Sequence, residues 1–413
     1  MFSSRFVRWT RLDRLARRDG VSDRAVAVVF TARMVDEVLS SAWVVLAPTF
    51  RAVGRLSLVQ VGLLLQACNW TALVVEPLSS AWIDLRSRRA LMFPGALALA
   101  VSMLVMGVAR EYAVLLAAFG LYGIGSGPLV LTADVLVIES FPGDPERAFS
   151  RATFVDTLGA LSGPALVALA EAGGVSWRLL LVALGAGAFG YAVAIRATHF
   201  PTPVAAAGEA PEEGGWRQLG ANARTVLRHA EARRWLAVLL CLDLFEAAFV
   251  LKYVWLHDAV GLSQPLVALW AVAEHGVDLV ALALLDGWLA RRDAVWLLRA
   301  AAFALVVLPA LWVEAPGVVG RIIVGIPLAF AWTLLWPLAK SQQLTALPER
   351  AGAAQALAAL FPILPLAVLE SQLASAIGTG AAMALTAGAG AVLLLAVLPG
   401  SLSWWRAPQS EAR

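Results

Sequence analysis

The chain has 413 residues, 60% of them hydrophobic, and a mean hydropathy of +0.76. A water-soluble domain is about 45–50% apolar, so the composition excludes a soluble enzyme and requires a bilayer. The formal charge is only +3, and the arginines sit at the ends of apolar segments instead of in one patch, which leaves no footprint for nucleic acid. The two cysteines, Cys68 and Cys241, both fall inside apolar stretches, so no disulfide framework, metal site or cofactor is expected.

Residues 1–24 carry seven arginines, with Phe6, Trp9, Leu12 and Leu15 spaced by three against Arg5, Arg8, Arg11 and Arg14. This spacing predicts an amphipathic helix lying on the membrane surface. A bilayer crossing needs about 20 apolar residues. Six stretches meet this in the first half: 25–50, 57–83, 90–109, 113–138, 152–172 and 177–197. A polar segment, 198–234, follows and reads as a linker. Six more spans are expected at 235–257, 265–285, 294–313, 318–339, 351–375 and 379–398. The domain plan is thus a first bundle over 25–197, a second over 235–400, and a tail over 401–413. The expected architecture is an all-α membrane protein of twelve transmembrane helices in two matching six-helix bundles.

Arginine placement orients this plan. With the N-terminus inside, the cytoplasmic segments hold the arginines from Arg5 to Arg24, Arg86, Arg88, Arg89, Arg147, Arg151, Arg217 to Arg234, Arg291, Arg292, Arg350 and Arg406. The opposite side holds only Arg51, Arg55, Arg110, Arg178 and Arg321. Cytoplasmic loops collect Lys and Arg, so both termini are expected in the cytoplasm and the protein in a plasma membrane. The halves also repeat. Asp36 and Asp243 are 207 residues apart, as are Ser80 and Gly287, and the Pro-Glu-Arg of 145–147 recurs at 348–350.

The run Ser80-Ala-Trp-Ile-Asp84-Leu-Arg86-Ser-Arg88-Arg89 separates the second and third spans. It resembles the loop between helices 2 and 3 of the major facilitator superfamily, whose pattern is Gly, three residues, Asp, Arg, any, Gly, Arg, Arg. Ser80 and Ser87 stand at the two Gly positions, and Leu85 replaces the first Arg. Gly123-Ile-Gly125-Ser-Gly127-Pro128 resembles the glycine-rich fourth span of that family, with Phe119 where many members carry Arg. Gly159-Ala-Leu-Ser-Gly163-Pro164 is similar to part of the Gly-Pro signature of its antiporters, with Val167-Ala168 in place of the following Gly pair. The resemblance implies a gating loop of Asp84, Arg88 and Arg89, matched in the second half by Arg291 and Arg292. Topology anchoring is the simpler reading of those charges. Gly123, Gly127, Gly159, Gly163 and Pro164 fit packing or hinge positions, since small residues four apart let helices approach closely.

Ionisable groups inside spans cost about 2.5–3.5 kcal/mol each and mark function by default. Span 1 carries Arg33, Asp36 and Glu37. Arg33 and Glu37, four apart on one face, are expected to pair and to leave Asp36 as the freer carboxylate. Asp243 and Glu246 in span 7, and Glu274 and Asp278 in span 8, complete a proton-coupling set. By resemblance, spans 1, 7 and 8 line a central cavity. Lys252, His275, Trp70, Trp270 and Trp332 are candidates for contact with a small-molecule substrate. Asp134 and Asp156 read as gate or loop partners, and Lys340 as a snorkelling lysine. Trp43, Trp235, Trp255 and Trp312 are expected in interfacial belts. No nucleophile motif, His cluster or phosphate loop points to an enzyme. The function implied is a monomeric, proton-coupled secondary transporter, with export by antiport ahead of uptake by symport. A non-transporting scaffold or sensor on the same fold is the other class.

Overall fold

The computed structural model describes residues 2–10, 12–15, 17–83, 87–141, 145–200, 224–249, 251–289, 292, 294–346, 357 and 364–398. All regular structure among them is helical: α1 (Phe2–Trp9), α2 (Asp23–Val45), α3 (Ala47–Gly54), α4 (Leu58–Ile83), α5 (Arg88–Val108), α6 (Tyr112–Ser140), α7 (Pro145–Ala172) and α8 (Trp177–Arg196) in the first half. The second half holds α9 (Ala230–Ala248), α10 (Lys252–Asp258), α11 (Gln264–Leu289), α12 (Ala294–Glu314), α13 (Gly317–Ala346), α14 (Leu366–Ile377) and α15 (Thr379–Val397).

Among the described residues, nine helices are long and apolar enough to cross a membrane: α4 to α8, α11 to α13, and α15. The three other expected spans miss that measure for identifiable reasons. Arg33, Asp36 and Glu37 burden α2, and Glu231, Arg233, Arg234, Asp243 and Glu246 burden α9. Most of 351–375 lies outside the described residues, leaving the twelve-residue α14. Charged helices of this kind cross a membrane only when the protein interior receives their side chains.

Two compact units form. The first comprises Met1–Gly215, Tyr253–Leu279 and Pro362–Ser371; the second comprises Trp216–Lys252, Val280–Phe361 and Gln372–Arg413. The repeat seen in sequence recurs in packing: α5 packs on α6 and α8 in one half, and α12 packs on α13 and α15 in the other. Likewise α2 meets α6, and α9 meets α13.

Spans 1 and 7, expected as continuous helices, are both interrupted. The first breaks at Leu46, two residues before Pro48, which has no N–H to donate to the preceding turn. The second ends at Ala248, beyond Asp243, and helix resumes at Lys252. The N-terminal segment also differs from a helix lying free on the surface. Phe6, Val7, Leu12 and Leu15 are buried in the first unit, the Arg18 N–H donates to the Ser140 carbonyl at 2.9 Å, and Trp9 packs on Phe154. Packing on α2 covers its apolar face.

Trp43, Trp235, Trp255 and Trp312 are buried and not in an interfacial belt. Trp43 sits edge-on to Phe119 at 4.8 Å and to Tyr122 at 5.7 Å, while Phe50 bridges Phe119 and Trp177. Phe119 therefore occupies an aromatic cluster, which suits a ring where a guanidinium would need a counter-charge.

Glycine makes the closest helix contacts possible. A Cβ at Gly163 would fall on the Ser41 hydroxyl and the Val38 carbonyl of α2, and one at Gly123 on the Cys68 carbonyl of α4. Gly187 has open space around it. Overpacking of this kind costs about 1–3 kcal/mol. Gly163→Ala and Gly123→Ala are therefore expected to melt several degrees below wild type in detergent, whereas Gly187→Ala stays within about a degree; intrinsic fluorescence or size-exclusion thermal scans will report the difference.

Candidate functional site

α2 carries the ionisable centre of the first unit. Arg33 lies about 15 Å along it from Asp23, at 1.5 Å per residue. Its Nη1 and Nη2 each meet a carboxylate at 2.7 Å, Asp134 on α6 and Asp156 on α7. The planar guanidinium thereby ties three helices together with two charge-assisted bonds. The expected Arg33–Glu37 bond within one helix is replaced by these pairings, because a fork held between two facing helices satisfies both ends at once.

Asp36 stands three residues further along, buried at 9% exposure. The Tyr122 hydroxyl lies 2.8 Å from its backbone carbonyl and 2.9 Å from Oδ1, and the Ser126 hydroxyl donates to Oδ2 at 2.9 Å. Asp36 is thus a bound carboxylate, not the freer one expected. Tyr122 and Ser126 are four apart on α6 and share a face, which a reading centred on charge overlooks. Glu37 is next to them, with Ser40 Oγ 3.4 Å from Oε2, and it interacts electrostatically with Asp36, Asp156 and Arg33.

Further acids of this unit are also held. Glu274 on α11 accepts from the Trp270 indole N–H at 2.9 Å and lies 3.4 Å from the Tyr253 hydroxyl. His275 Nδ1 is 2.9 Å from Asp278 Oδ2, the satisfied partner that a histidine beside acids tends to be. Trp270 therefore holds a carboxylate in addition to offering a ring. The Gln264 side-chain amide donates at 2.9 Å to the Val45 carbonyl, beside the α2 break, and Arg51 forms an ion pair with Asp258.

The basic loop lies partly outside the described residues, which exclude Asp84 and Arg291. Ser87, at a family glycine position, has φ −63° and ψ 137° and caps α5 through its hydroxyl, so no glycine is needed there. Arg88 is 1% exposed and pairs with Glu139 at the end of α6 at 2.5 Å. This bond ties the loop to the first unit's own helices. Arg292 is exposed, its guanidinium 4.9 Å from the Trp296 ring.

Residues 25–362 match the family model of the Major Facilitator Superfamily. The chain belongs to that superfamily. It is a non-enzymatic transporter by family, and its helices adopt the major facilitator fold. The nucleoside transporter NupG is similar over 90% of this chain and 98% of its own, with a TM-score of 0.69 and 12% identity. A bacterial homologue of the human lysosomal transporter Spinster, in an inward-facing and unoccupied conformation, gives 0.72 at 14% identity, over 90% and 94%. The xylose transporter XylE from E. coli, in a partially occluded inward-open conformation, gives 0.68 at 13%, over 90% and 98%. No curated protein matches the sequence.

In this superfamily member the second unit carries its own acids. Asp243 on α9 interacts electrostatically with Glu246 and with Lys340 of α13, so Lys340 reaches an acid instead of snorkelling alone. Glu246 is exposed. Trp332 stacks on Phe245 at 4.6 Å, which occupies one face of its ring. Lys252 begins α10 just beyond the break, and Trp70 is 38% exposed on α4. Gly159 and Gly163 face α2, Gly123 and Gly127 face α4, and Pro164 is buried beside them in α7.

Removing one member of a buried ion pair costs about 3–5 kcal/mol, because the other charge stays behind. Arg33→Gln alone is expected to lower the melting temperature strongly. Adding Asp134→Asn and Asp156→Asn to it should recover most of the loss, and a triple variant no more stable than the single one would refute the bridge.

Proposed function

We propose that this protein is a proton-coupled secondary transporter that exports a small molecule by alternating access. The observation that carries the reading is the charge balance around α2. Among the described residues, four carboxylates, Asp36, Glu37, Asp134 and Asp156, gather about Arg33. In a medium where unpaired ions are costly, a set of this composition comes closest to neutrality when protons occupy some of its acids.

The Asp36 node offers a way to register such a proton. The one Tyr122 hydroxyl proton faces two oxygens, the Asp36 carbonyl and Oδ1. When the carboxylate is ionised, the phenol donates to Oδ1. When Oδ1 carries a proton, that proton is donated to the phenol oxygen and the phenol turns to the carbonyl. Proton loading thus rearranges the contact between α2 and α6. The break at Leu46, about 15 Å further along α2, is where the helix can bend in response. Asp243, with Lys340 and Glu246, is the matching group on α9 and completes the coupling set with Glu274 and Asp278.

Arginine placement supports cytoplasmic termini in a plasma membrane. Within the first unit, Arg17, Arg24, Arg88, Arg89 and Arg151 lie toward one set of helix ends, and Arg51, Arg55, Arg110 and Arg178 toward the other. The partial Gly-Pro signature at 159–164 favours antiport over symport.

Proteoliposomes loaded with a compound chosen by thermal-shift screening provide the test. An acidic exterior should expel the compound from wild-type vesicles. Asp36→Asn should lose this proton-driven flux while keeping exchange of labelled for unlabelled compound. Tyr122→Phe, lacking one hydrogen bond worth about 1 kcal/mol, should slow driven flux about fivefold. Flux in Asp36→Asn that still follows the pH gradient overturns the coupling, and accumulation driven by external acid overturns export in favour of uptake.

A further inference from the structure

A second basic site lies away from the acids of α2, where the N-terminal end of α5 meets the C-terminal end of α8. Ser87, Arg89, Ala90, Phe93, Pro94 and Arg196 line an open pocket of about 290 Å³.

 A separate pocket of about 460 Å³ is lined by the N-terminal segment, including Arg8, Asp13, Arg17 and Asp23, where acids and bases offset one another. Among the described residues, no carboxylate lines the α5–α8 pocket.

Its two cations come from different helices. The Arg196 guanidinium lies 5.6 Å from the centroid of the Phe93 ring, which holds it across the gap between α8 and α5. Arg88, next to Arg89, is turned inward to Glu139 and neutralised there, so the charge left at the pocket is that of Arg89 and Arg196. The Ser87 hydroxyl is engaged in capping Ala90.

The pocket stands above an apolar face. Val193 and Phe189, three and seven residues before Arg196 on α8, are 50% and 52% exposed. On α5, Pro94 is exposed, and Val101, seven residues on, is 40% exposed. Residues at these spacings share one helix face. Both helices are long and apolar enough to cross a bilayer, so these side chains meet acyl chains while the arginines at the helix ends meet headgroups.

We propose that the pocket between Arg89 and Arg196 binds the headgroup of an anionic phospholipid, with the acyl chains lying along Pro94, Val101, Val193 and Phe189. Basic pockets between membrane helices suit such headgroups. The phosphate supplies a counter-charge that no described residue lining the pocket offers, and the apolar face below selects a lipid over a soluble anion.

The test uses the full chain in neutral detergent, read by melting temperature and by native mass spectrometry of retained lipid. Phosphatidylglycerol is expected to raise the melting temperature and remain bound, and phosphatidylcholine to do neither. At about 1 kcal/mol per basic residue near a membrane surface, Arg89→Gln with Arg196→Gln should weaken phosphatidylglycerol binding about 25-fold. Arg110→Gln, at the other end of α5, should leave it unchanged. Should the double variant fold poorly, Arg196→Lys is the second probe, expected to keep the lipid response that Arg196→Gln reduces. Wild-type lipid retention in a folded double variant, or in Arg196→Gln, overturns the proposal. An equal stabilisation by inorganic phosphate overturns the lipid source and assigns the pocket to a soluble anion.

Discussion

The arrangement of the first unit depends on one requirement: a guanidinium placed well inside an apolar bundle must find negative charge. Desolvating an ion costs several kcal/mol, and the cost is recovered only with good geometry on both sides. Arg33 meets this requirement with Asp134 and Asp156, one from each of two helices, at 2.7 Å. The same bonds set the relative placement of α2, α6 and α7. Asp36 and Glu37 follow on the next turn, already committed to a polar seam by the position of Arg33.

That seam is reachable because the backbones come close. Asp156 shares its face of α7 with Gly159 and Gly163, three and seven residues on, and both glycines meet α2. Bulkier residues there would hold α7 back from Arg33. Tyr122 and Ser126 likewise alternate with Gly123, Gly125 and Gly127 on α6, so one segment supplies both hydrogen-bond donors for Asp36 and the smooth surfaces that α4 and α5 require. Packing and polarity are therefore one design in this unit: small residues shorten the distances over which charges act.

Much of this was legible in the chain and some was not. Nine of the expected spans follow from hydropathy, because a bilayer imposes a length on any segment that crosses it. The candidate acids of spans 1, 7 and 8 stand out because ions inside spans are costly. Their partners do not. Arg33 and Glu37 satisfy the spacing rule for a helical pair, yet Arg33 turns to two acids more than a hundred residues away. Tyr122 and Ser126 carry no charge, so nothing in an inventory of ions points to them. Trp43 and Trp312 share the chemistry of interfacial tryptophans and are core residues instead.

The sequence by itself determined that this is a helical membrane protein of the major facilitator type and where ions fall inside its helices. These properties depend on local composition, and local composition is read without knowing what touches what. Tertiary structure alone decided that Arg33 bridges three helices, that Asp36 is held by Tyr122 and Ser126, that Arg88 closes on Glu139, and that spans 1 and 7 break. Each of those outcomes is a choice among partners of similar chemistry, and the choice is made by distance, which only the packed helices supply.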